Sequence, residues 1–162
     1  MRFVIAFVVV FACSVNGIAQ RLTIDLESFP TLTQDYGKSI IAPYSGIGLT
    51  YFYDKYATGL NYRSVPWGSE VSVSQAFNIP FYQSEKIAVG SSSQVYVGVP
   101  LYYNKFSTSL GASSRVTLKF EKFQRIFISG GLGYHISPSY RSISSKYQFV
   151  EGILAFHIAL LK

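Results

Sequence analysis

The sequence predicts an all-β chain, an antiparallel up-and-down transmembrane β-barrel of about eight strands behind a cleaved leader. Three observations predict it. The first is a two-residue period in hydropathy, clearest in Arg115-Val116-Thr117-Leu118-Lys119-Phe120-Glu121, where every even position is apolar and every odd one polar or charged. Successive side chains on a strand point to opposite faces, so this stretch requires one apolar and one charged face. The second is composition. Charged residues make up 14% of the chain and aromatics 17%, with 13 Tyr and 13 Phe, whereas soluble domains carry about 25% charged residues. A lipid-wrapped barrel needs few charges and gathers Tyr and Phe in belts at its two interfaces. The third is phase. Arg21, Asp25, Glu27, Arg63, Glu70, Lys86, Arg115, Lys119, Glu121 and Arg125 all fall on the polar phase of the alternating segments.

The N-terminus reads as an export signal. Arg2 is followed by eleven apolar residues, Phe3 to Cys13, and then by the small-residue site Gly17-Ile18-Ala19. A spanning helix needs about 20 apolar residues, so residues 1–19 are expected to be a signal peptide and residues 20–162 a single barrel domain. Cys13 is the one cysteine. Cleavage after Ala19 removes it and leaves no disulfide or thiolate chemistry. Lipidation of Cys13, after Val10-Phe11-Ala12, is the alternative fate of this segment.

The elements follow in order. Strand one sets Leu22, Ile24 and Leu26 against Arg21, Thr23, Asp25 and Glu27, and a long connection is expected from Phe29 to Pro43. Strand two carries Ile47, Leu49, Tyr51 and Tyr53. A tight turn at Asp54-Lys55 leads into strand three, with Leu60 and Tyr62 opposite Asn61 and Arg63, a hairpin signature. Pro66-Trp67-Gly68 follows, with Trp67 expected as an interface anchor. Strand four sets Val71, Val73, Phe77 and Ile79 against Ser72, Ser74 and Asn78. Strand five keeps one phase from Ile87 to Tyr103, and strand six holds the Arg115–Glu121 stretch. A short turn over Glu121–Gln124 precedes strand seven, with Ile126, Ile128, Leu132 and Tyr134. A polar connection from Ile136 to Lys146 leads to strand eight, with Leu154, Phe156, Ile158 and Leu160. Tyr147 and Phe149 share the parity of Glu151, which predicts a bulge or loop-like start there.

Over residues 20–162 this pattern resembles the small eight-stranded outer-membrane β-barrel proteins of Gram-negative bacteria, the outer membrane protein beta-barrel domain family. The resemblance implies an outer-membrane location and a lumen filled by side chains rather than an open pore. Arg63, Arg115, Lys119, Glu121 and Arg125 are then expected to form a lumen charge network, since buried charges must be paired. It also implies a non-enzymatic structural or surface-interaction role. The partners implied are outer-membrane lipids and lipopolysaccharide, the barrel-insertion machinery, and an extracellular partner met through loops 29–43 and 136–146. The formal charge of +6 comes with no basic run and no nucleic-acid motif, so attraction to anionic head groups is its expected use. No cofactor is expected.

Two alternatives remain. His135-Ile136-Ser137 with Glu151 is similar to the His, Ser and Glu set of the outer-membrane lipid A deacylases, which implies Ser137 as nucleophile, His135 as base and Glu151 as its orienting carboxylate. That family's Arg before the His and Asn after the Ser are here Tyr134 and Pro138. His157, between Phe156 and Ile158, is expected to point inward, and no metal spacing links the two histidines. The other alternative is a soluble periplasmic barrel binding a small apolar ligand, which requires the apolar phase to face inward and the charges outward.

Overall fold

The computed structural model describes residues 21–35, 38–65, 68–101, 108–123, 125–138 and 146–161. The expected leader with Cys13, and Trp67, lie outside the described residues. Eight strands close on themselves in chain order: β1 (Arg21–Asp35), β2 (Lys38–Tyr53), β3 (Tyr56–Val65), β4 (Gly68–Gln83), β5 (Ile87–Pro100), β6 (Ser109–Phe120), β7 (Ile126–Pro138) and β8 (Lys146–Leu161). Every neighbouring pair is antiparallel, and β1 meets β8 to complete the circle. Closure leaves no sheet edge within the wall, the condition a sheet must meet in hydrocarbon, where no water satisfies a free N–H or C=O.

The alternation decides the orientation. Val116 and Phe120 on β6 are 50% and 39% exposed, while Arg115 between β5 and β7 is 8% exposed and faces the lumen. The same holds around the barrel: Ile47, Leu49, Val95, Val97, Leu132, Leu154 and Phe156 face out, and Thr23, Asp25, Glu70, Ser72, Ser74, Ser129 and Glu151 are buried inside. A soluble ligand-binding barrel requires the opposite arrangement. Tyr51, Tyr53, Tyr56 and Phe77 form a continuous outer row, with ring centroids 5.9, 5.8 and 5.4 Å apart along it, as expected where a barrel meets the membrane interface.

The barrel has two unlike ends. At one lie the start of β1, the end of β8 and the short turns at Asp54-Lys55, Ser84–Lys86 and the single 3-10 turn Glu121–Phe123. The connections β1–β2, β3–β4, β5–β6 and β7–β8 all lie at the other; the first two separate their strands by two residues, and β5–β6 and β7–β8 are the longer ones.

Three expectations are corrected. The connection expected over 29–43 is a paired hairpin, running in register from Phe29↔Tyr44 to Asp35↔Lys38. Pro30 and Pro43, which suggested a loop, face each other where a missing N–H costs little: β1–β8 pairing is interrupted between Ser28↔Leu154 and Thr31↔Glu151, and β2 pairs with β3 only from Gly46 onward. At the edges of the expected loop 136–146, residues 136–138 and 146 are strand, because β7 and β8 pair as far as Pro138↔Lys146; residues 139–145 lie outside the described ones. No bulge marks the start of β8, since its register against β7 is continuous from Lys146 to Ile158. Phe149 keeps the parity of Glu151 because it points inward, against the ring of His135, with centroids 4.7 Å apart.

Candidate functional site

Among the described residues, the ion-paired side chains of the lumen fall into three groups along the barrel axis. The largest lies at the end of the longer connections and is centred on Arg63 of β3. Its guanidinium contacts Glu70 of β4 at 3.0 Å and Glu151 of β8 at 3.2 Å, and lies over the ring of Tyr96 of β5 at 4.5 Å. The Tyr96 hydroxyl donates to Glu151 Oε1 at 2.8 Å, and Ser109 Oγ of β6 donates to Glu70 Oε2 at 2.5 Å. His135 of β7 accepts from Arg63 at Nδ1 and places Nε2 3.4 Å from Glu70 Oε2. With Phe29 of β1 beneath the guanidinium, seven of the eight strands contribute to one cross-braced plug. It needs small neighbours: a Cβ on Gly98 would come within 2.5 Å of Glu70 Oε1 and Ser109 Oγ, and one on Gly111 would overlap the Tyr96 ring.

A second contact crosses mid-lumen, where Arg115 Nη1 of β6 reaches Glu27 Oε1 of β1 at 2.5 Å. The third group lies toward the short-turn end. His157 of β8 donates from Nδ1 to Asp25 Oδ1 of β1 at 2.8 Å and accepts at Nε2 from Ser129 Oγ of β7 at 2.8 Å. Asp25 is held in turn by Thr23 Oγ1 at 2.8 Å and Thr50 Oγ1 at 2.5 Å. Local register builds this group, because Asp25 and Phe127 are the direct cross-strand partners of His157 on its two sides. The Phe127 and His157 rings stack 4.3 Å apart at 9°.

Between the short turns and the Arg115–Glu27 contact lies a cavity of about 550 Å³. Its walls include Asp25, Ser129 and His157, and it reaches the exposed turn residues Asp54 and Lys55. The cavity opens toward the short-turn end, and the Arg63 cluster lies toward the other end of the lumen.

Of the residues expected to form a lumen network, Arg63 and Arg115 are buried inside with carboxylate partners, and Lys119 borders the cavity. Arg125 does not join them. It is exposed in the turn before β7, beyond the reach of strand parity, as is Lys86 in the turn before β5. Glu121 belongs to the 3-10 turn, and its side chain, like that of Ser137, is outside the described ones. His135 and Glu151 are brought together, but as members of the plug, fully buried and turned away from the lipid-facing wall. Sequence reading missed Tyr96, Ser109 and Ser129 as site residues. It also left Glu70, Glu27, Asp25 and His157 without partners. Among the described residues no group of His, Cys, Asp or Glu is arranged to hold a metal ion.

These features define a small, closed, eight-stranded barrel of the outer-membrane class. Among solved structures it is similar to Neisserial surface protein A, with a TM-score of 0.59, 10% identity, and coverage of 87% of this chain and 98% of that one. The N-terminal β-barrel domain of OprF from Pseudomonas aeruginosa gives a TM-score of 0.49 at 11% identity over 87% of this chain and 100% of that one. Ail, the attachment invasion locus protein of Yersinia pestis, gives 0.40 at 11% identity over 86% of this chain and 97% of that one. The first of these establishes the shared fold. No protein-family model and no curated protein sequence matches the chain.

Proposed function

We propose that this chain is a non-conducting outer-membrane β-barrel whose role is structural or lies in surface interaction at the end of its longer connections. The observation that carries the reading is the pairing of an apolar outer wall with the buried, mutually bonded Arg63–Glu70–Tyr96–His135–Glu151 cluster inside it. About eight strands leave an interior that side chains can fill. Here the Arg63 cluster would fill it with mutually satisfied charges and leave no continuous aqueous path. Short turns face the periplasm and longer connections the exterior in barrels of this class, so the end that carries the longer β5–β6 and β7–β8 connections would face outward, and the β1–β2 hairpin beyond Phe29↔Tyr44, at that same end, would be the natural contact element. Lipopolysaccharide and outer-leaflet lipid would surround the apolar wall, and the barrel-insertion machinery would deliver it there.

The test is cell fractionation with heat-dependent gel mobility, followed by planar-bilayer recording. Recovery in the outer membrane as a heat-modifiable species with no unitary conductance is expected. Recovery in the soluble periplasm, or steady channel currents, would overturn the reading.

A further inference from the structure

Asp25, His157 and Ser129 take no part in closing the outer end of the lumen, yet their geometry is more specific than space-filling requires. A buried carboxylate needs a partner, and His157 with two threonine hydroxyls satisfies Asp25 fully. Nothing in that requirement places a serine at the far nitrogen of the imidazole, on the wall of an open cavity. From these residues and the cavity beside them, we infer that Ser129, His157 and Asp25 form a serine hydrolase triad acting on carboxylic esters that enter from the short-turn end.

Two aligned 2.8 Å links connect the three groups. The carboxylate holds Nδ1–H, so Nε2 is the accepting nitrogen and faces the Ser129 hydroxyl. This arrangement recurs on unrelated folds and is recognised by geometry rather than chain order. The imidazole plane is fixed by the stacked Phe127 ring and the carboxylate by its threonine donors. Ser129 is therefore the nucleophile, His157 the base and Asp25 a positioning residue.

The reaction balances within these groups. Ser129 Oγ attacks the ester carbonyl carbon as its proton passes to His157 Nε2. The carbon–oxygen bond to the alcohol then breaks, and the departing oxygen takes that proton. Water next gives a proton to Nε2 and attacks the acyl-serine, releasing the carboxylic acid as the proton returns to Ser129. Backbone N–H groups in the wall are committed to the ladder, so the oxyanion must be met by side chains. Thr117, directly opposite Ser129 across β6–β7, and Lys119 on the same face both border the cavity. Phe52, Ala57, Ala76 and Phe127 give the cavity apolar wall beside its polar groups, and its volume of about 550 Å³ lies within the range of small-molecule sites. An ester with an apolar acyl group fits both features. The activity is independent of the surface role proposed above and stands or falls apart from it.

The test uses the barrel in detergent micelles, with p-nitrophenyl butyrate as substrate and a fluorophosphonate as trap. The expected result is a fluorophosphonate adduct mapped to Ser129 by mass spectrometry, and ester turnover that falls about 1,000-fold or more in Ser129→Ala. Asp25→Asn should lower kcat with little change in KM. Heat-modifiable mobility reports whether each variant is folded; if Ser129→Ala does not fold, adduct formation and turnover in the wild-type barrel, with turnover abolished by the adduct, decide the matter. No adduct on Ser129, or turnover that survives its loss or its trapping, overturns the assignment.

Discussion

Arg63 of β3 and Glu151 of β8 are 88 residues apart in sequence and 3.2 Å apart in space, joined through the interior of the barrel. Glu70, the direct ladder partner of Arg63, completes the pair of carboxylates around the guanidinium. One cation thus holds two acids, and its loss should be felt at both. Arg63→Met keeps much of the volume but leaves two buried carboxylates without their cation, an effect of about 3–5 kcal/mol. Guanidinium-induced unfolding of the barrel in lipid vesicles should show a lower midpoint than wild type. An unchanged midpoint would mean that the plug carries little of the stability.

The plug also explains why two positions admit no side chain. Gly111 lies under the Tyr96 ring, whose hydroxyl donates to Glu151. Gly111→Ala should displace that ring and weaken the barrel by about 1–3 kcal/mol through overpacking, read as a lower temperature for the heat-modifiable transition. Tyr96→Phe in the same assay should lose only the hydroxyl's share. If Gly111→Ala proves the milder change of the two, the ring is not confined as described.

Orientation was legible in the sequence because a two-residue period assigns every side chain to one of two faces once a single one is placed. Parity places Arg63 and Arg115 in the interior, and the structure buries both. Parity loses its meaning where the strand ends, and Arg125 and Lys86, counted with the lumen charges, sit in turns. It is also silent on partners. Asp25 and His157 meet only because β1 and β8 close the barrel 132 residues apart, and their register is a property of closure rather than of either strand. Phe149 shows a third limit: an aromatic on the polar phase looks like a break in pattern until a histidine ring is found beneath it.

The outward face makes its own prediction. Leu132 lies near the middle of β7 and is 67% exposed on the apolar phase. Leu132→Arg should cost about 2–4 kcal/mol in a bilayer, the range for a cation on the lipid face near the midplane. Leu132→Ala should cost far less, since little packing within the protein is lost. Equilibrium folding into phosphocholine vesicles measures both. Equal effects of the two substitutions would remove Leu132 from the hydrocarbon.

The mid-lumen contact offers a quantitative test of how dry the interior is. Arg115 and Glu27 approach from opposite walls, and both side chains are 8% exposed. In water such a pair contributes about 0–1 kcal/mol, because solvent competes for each charge. Within a closed wall the same pair should couple more strongly, toward the upper part of the roughly 0.5–3 kcal/mol seen for contacting residues. A double-mutant cycle of Arg115→Met and Glu27→Gln, followed by unfolding in vesicles, isolates that term. Arg115 also borders the open cavity, so water entering from the short-turn end reaches one side of the pair. A coupling above about 1 kcal/mol places the contact on the dry side of that boundary. A smaller one means that water passes this contact and reaches toward the Arg63 cluster.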